Sequence, residues 1–75
     1  MKLNNRHIEL LQYGCTGFMS SKGTVRFYYW GESVTREINT LEKHGYMNIC
    51  RYADNYVANR SEKGYRFLEE KGILF

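Results

Sequence analysis

Proline is absent from this chain, cysteine occurs only twice, and no apolar run approaches the roughly 18 residues that cross a bilayer. Without proline there is no proline-rich spacer, and glycine is left as the main punctuation. The N-terminus carries Lys2 but no apolar stretch of signal-peptide length. The expectation is therefore an intracellular, cytoplasmic protein that neither spans a membrane nor enters the secretory route. Cys15 and Cys50 lie next to candidate core positions and are expected to be two buried free thiols rather than a disulfide. There is no Cys-x-x-Cys, and His7 and His44 are isolated, so neither metal nor cofactor is expected.

A long run of like charge is also missing. Eleven basic residues stand against 8 acidic ones, a net +3. Residues 1–30 hold all of that excess, as Lys2, Arg6, Lys22 and Arg26 against Glu9, and the remainder balances at zero. Any electropositive face must come from sorting in three dimensions, and the bias toward an anionic partner is mild. Catalysis has little to stand on. Lys22-Gly23 has no glycine-rich run before it to cradle a phosphate, and no spacing brings two carboxylates, or a cysteine and a histidine, onto one short face. The expectation is a protein that is not an enzyme.

What is present is a single small α+β domain over residues 1–75, since this length leaves no apolar surface for a second core. A first helix is expected from Asn5 to Tyr13, capped by Asn4 or Asn5 and ended by Gly14, with Ile8, Leu10 and Leu11 on its apolar side. The clearest helix runs from Ser33 to His44, where Val34, Ile38 and Leu41 recur at i, i+4 and i+7 and Gly45 follows. A hairpin then pairs Met47–Tyr52 with Tyr56–Asn59 across Ala53-Asp54-Asn55. The last helix starts at Ser61 and runs to about Lys71, with Gly64 marking either close packing or a late start. Residues 24–30 stay open. Val25, Phe27 and Tyr29 alternate as in a strand, yet Val25, Tyr28 and Tyr29 also share a helical face.

This order resembles the winged helix-turn-helix family. The resemblance is carried by Leu41-Glu42-Lys43-His44-Gly45-Tyr46-Met47, which looks like the close of a recognition helix leading into a wing. It is carried also by Ser61-Glu62-Lys63-Gly64, which is similar to the opening of the helix after the wing. It covers residues 33–75 and implies about three helices, a two-stranded wing and, within residues 19–30, a helix before the recognition helix. It also implies double-stranded DNA as partner, in a small transcriptional regulator or an accessory factor for recombination or packaging.

On the implied recognition helix, the face opposite Val34, Ile38 and Leu41 presents Thr35, Arg36, Asn39, Thr40 and Lys43. These are residue types that read base edges or phosphates, and Glu37 and Glu42 beside them are of the wrong sign. The wing region adds Arg51, Asn55 and Arg60 as candidate contacts. One such module touches few phosphates, so useful affinity implies a homodimer or a partner on an adjacent site. Aromatics make up 16% of the chain. They fill a small core, form a protein-interaction or inhibitor surface on the same scaffold, or stack on unpaired bases as Arg26-Phe27-Tyr28-Tyr29-Trp30 could.

Overall fold

The computed structural model describes residues 2–73. In chain order the elements are α1 (Asn5–Tyr13), β1 (Cys15–Met19), β2 (Val25–Tyr29), β3 (Glu32–Ser33), α2 (Thr35–Lys43), β4 (Met47–Tyr52), β5 (Asn55–Arg60) and α3 (Glu62–Glu70). The five strands form one sheet in the order β3-β2-β1-β5-β4, with every neighbouring pair antiparallel. α1 packs on α2, α3 and β5, and α2 packs on β2 and β4. The fold is α+β, with two layers around one core. Strand number and order depart from the expected pair of wing strands, and no helix forms within residues 19–30.

The open question at residues 24–30 is resolved in favour of strand, because β1 supplies a partner. Gly17 lies opposite Phe27 and Met19 opposite Val25. Phe27 is thereby 1% exposed, in contact with a core of Leu10, Leu11, Ile38, Leu41, Met47 and Leu68. A second consequence falls on Ser33. It belongs to β3, opposite Tyr28, and does not cap α2. The N-cap is Val34, with no side-chain bond, and Thr35 instead ties the helix start to β2. Its hydroxyl accepts from the Phe27 amide at 2.9 Å and donates to the Phe27 carbonyl at 3.4 Å.

α1 keeps its expected bounds. The Asn4 side chain accepts from the His7 amide, and His7 Nδ1 accepts from the Asn4 amide, a reciprocal cap of the helix start. α2 ends through Gly45, whose φ of 81° lets the Gly45 and Tyr46 amides turn back to the carbonyls of Glu42 and Leu41. The hairpin also forms, its turn reduced to Ala53 and Asp54, so that Asn55 opens β5 opposite Tyr52 and the strand continues to Arg60.

The two sequence signatures turn out to hold each other. Ser61 accepts from the Gly64 amide and so starts α3. Lys63 Nζ donates to the His44 carbonyl at 2.8 Å, at the negative end of α2, and lies 4.5 Å from the centre of the Tyr46 ring. Gly64 is buried where a Cβ would run into the Tyr46 carbonyl, with Leu11 and Arg60 close behind. Close packing, not a late start, explains that glycine.

The cysteines differ. Cys15 is buried and its thiol donates to the Tyr28 carbonyl at 3.1 Å, and burial pushes its pKa up. Cys50 is a free thiol as expected but is exposed on the edge strand β4, because it occupies the side of the sheet without helices.

Candidate functional site

Helical geometry gathers the implied readout set. Arg36, Asn39, Thr40 and Lys43 stand at i, i+3, i+4 and i+7 and so share one face of α2. With Thr35, Glu37, Ser33 and Arg26 they line an open groove between α2 and the β2 side of the sheet. Three cationic side chains thus meet one carboxylate. Among the described residues none of Arg26, Arg36 and Lys43 is ion-paired, whereas Glu9, Glu32 and Glu62 are engaged by Arg6 and Arg66 on other surfaces. Among the described residues no ion pair neutralises the charge excess along the groove. Glu42 is exposed and takes no part in the groove.

The groove residues divide by what their polar atoms already do. The Thr35 hydroxyl both donates to and accepts from the Phe27 backbone, so it positions the helix. The Thr40 hydroxyl donates to the Arg36 carbonyl at 2.8 Å and keeps only acceptor capacity. Arg36, Asn39 and Lys43 are exposed and project their polar ends to solvent. Arg26 was not among the residues singled out for this site. The signal that could find it is conditional: once residues 25–29 are strand, Thr35 ties the start of α2 to β2 and brings its neighbour Arg26 to the groove.

The three wing candidates do not converge. Met47 and Ile49 turn inward to the helix layer, and Arg51, two residues further along β4, is on that same side of the sheet. It is exposed near the turn, its Nε donating to the Ala53 carbonyl at 3.2 Å. Asn55 faces the other way, in the row that places it between Phe18 and Tyr52. Arg60 is directed into the fold. Its guanidinium donates to the carbonyls of Leu11 and Gln12, at the C-terminal end of α1, and stacks 5.9 Å from the Tyr65 ring centre.

The other surface of note is the side of the sheet that no helix covers. Phe18 and Tyr28, diagonal neighbours on β1 and β2, stack with ring centres 5.7 Å apart and planes 10° from parallel. With Tyr52, Asn55 and Val57 they line a shallow depression. At the end of the same side, Trp30 in the β2–β3 turn is 89% exposed and borders a second depression with Tyr13, Tyr28 and Asn59. Among the described residues no group of three or more His, Cys, Asp or Glu side chains is placed to hold a metal ion. No helix among them is long and apolar enough to cross a membrane.

Comparison with protein-family models, with curated proteins and with solved structures finds no match to this chain.

Proposed function

We propose that this protein binds double-stranded DNA, with α2 entering the major groove and the β4–β5 hairpin serving as a wing. The observation that carries the reading is the groove along α2. Among the described residues, Arg26, Arg36 and Lys43 there take part in no ion pair and stand beside Asn39 and Thr40, with Glu37 as the one carboxylate of the lining. Nine residues of helix are about 13 Å long, and a major groove about 12 Å wide admits a helix with such side chains on its outer face. Arg36 suits guanine or phosphate, Asn39 suits adenine, and Lys43 suits the backbone. Arg51, on the helix side of the hairpin, is the wing residue best placed to add a phosphate contact. Asn55 and Arg60 drop out, the first because it faces away and the second because it secures α1. The succession of α2, hairpin and α3 supports a winged-helix manner of docking, in which a β-hairpin replaces the helix usual before the recognition helix.

Fluorescence anisotropy with a random-sequence duplex at about 50 and 200 mM salt tests this. The expected result is binding that weakens steeply with salt and falls at least tenfold in the variant Arg36→Ala/Lys43→Ala, with the salt slope lowered by about two. Absence of duplex binding at the lower salt, or a variant that binds like the parent, refutes it. A second reading, a module that holds or inhibits another protein, is favoured by the exposed rings on the uncovered side of the sheet. It predicts no salt-dependent duplex binding.

A further inference from the structure

The uncovered side of the sheet combines exposed rings with an absence of acidic side chains among the described residues. Beside the stacked Phe18–Tyr28 pair, small polar and amide side chains lie between its rings. Thr16 lies between Tyr28 and Val57, and Asn55 between Phe18 and Tyr52. Among the described residues Val57 is the one branched aliphatic residue at an outward strand position. Among the described residues no outward strand position carries a carboxylate. Glu32 turns to the helix side, where Arg6 engages it. The charged group at the outward positions is Arg26, opposite Phe18, and it borders the α2 groove as well.

Trp30 adds an independent argument. Its φ is 52° in a two-residue turn with Gly31, a left-handed conformation that a bulky side chain rarely adopts and that asparagine or glycine would adopt at lower cost. Apart from an edge-on contact with Tyr29, the indole is held out in solvent, so the strained backbone gains no core packing. Ala53 holds the same φ in the β4–β5 turn, so the turn sets the backbone; what is particular to Trp30 is a large ring kept in solvent where it can meet a ligand.

We propose that this face is a stacking platform for unpaired bases and that its occupant is single-stranded DNA. Phe18–Tyr28, Tyr52 and Trp30 offer their ring faces, Asn55 and Asn59 reach base edges, and Arg26 meets a phosphate at the rim shared with α2. Stacking on exposed rings beside a cation is the general means of holding a strand without regard to sequence. The choice of DNA over RNA rests on the duplex reading above. The stacking itself does not.

Labelled oligothymidine, which cannot pair with itself, is titrated with the intact protein while anisotropy and Trp30 emission are followed. Binding with quenching of Trp30 is expected. Phe18→Leu keeps the apolar bulk and removes the ring face, and it is expected to weaken binding about tenfold, whereas Phe18→Tyr retains it. Arg36→Ala/Lys43→Ala is expected to weaken oligothymidine binding far less than duplex binding, which separates failure of this proposal from failure of the duplex reading. Phe18 is 47% exposed, so its variants keep the core, and thermal unfolding verifies that. The proposal is overturned if oligothymidine does not bind at low salt, or if Phe18→Leu binds as tightly as the parent. It is overturned equally by a dimer in sedimentation velocity that oligothymidine does not dissociate, since a second copy would then own the face.

Discussion

Gly64 and Trp30 are each at odds with the local preference of their position, for opposite reasons. Glycine inside a helix costs about 1 kcal/mol against alanine, so propensity alone makes Gly64→Ala stabilising. The Tyr46 carbonyl occupies the space that a Cβ would need, and the expected outcome is a loss of about 2 kcal/mol or more in urea denaturation. Trp30→Gly is expected to gain about 0.5–1 kcal/mol by relieving the left-handed backbone, while oligothymidine affinity falls. A variant that is both less stable and unaltered in binding would show that the indole serves packing instead. The cysteines give a third test at this scale. Native protein treated with iodoacetamide near neutral pH is expected to take label at Cys50 and to take it at Cys15 only after denaturation, since burial keeps the Cys15 thiol protonated and out of reach.

Among the elements, the contact between the end of α2 and the start of α3 ties the putting-forward of Arg36, Asn39 and Lys43 to a helix far along the chain. Ser61→Ala removes the cap of α3 and is expected to cost about 1 kcal/mol. Lys63→Ala uncovers the His44 carbonyl and is expected to weaken duplex binding only a few-fold, by loosening the end of α2 rather than by removing a phosphate contact. An accompanying drop in the salt slope as large as that of Lys43→Ala would place Lys63 on the DNA instead. Elements whose signals are local were legible in the chain: the Val34, Ile38, Leu41 stripe, the caps at Asn4 and Ser61, the Met47–Tyr52 strand. β1 was not, since Cys15-Thr16-Gly17-Phe18-Met19 alternates weakly and becomes a strand by pairing with two partners, one of them about 40 residues away. With β1 unseen, residues 24–30 had no partner either, and strand and helix both stayed open there. The same holds at the site. The i, i+3, i+4, i+7 face of α2 could be read from spacing, but the fate of Arg60 depends on carbonyls 48 and 49 residues earlier.

At the scale of the molecule, the helices stand on one side of a single sheet and share one core, so the described residues unfold as one unit. Far-UV circular dichroism and the exposure of Cys15 to label are expected to give the same urea midpoint, and two separated transitions would contradict the shared core. The two sides of the sheet also differ in what they leave for others. The helix side presents charge along α2, and the uncovered side presents rings with little charge. Arg26 stands where the two meet, so a duplex with a single-stranded extension could lie across both, and such a substrate is expected to bind tighter than either part.

The exposure of Trp30 reaches into spectroscopy as well. It is the chain's one tryptophan, and in the folded state its indole is already nearly as wet as it would be in an unfolded chain. Its emission will hardly register denaturation. The same residue that is blind to folding becomes a built-in optical gauge of whatever settles on the sheet.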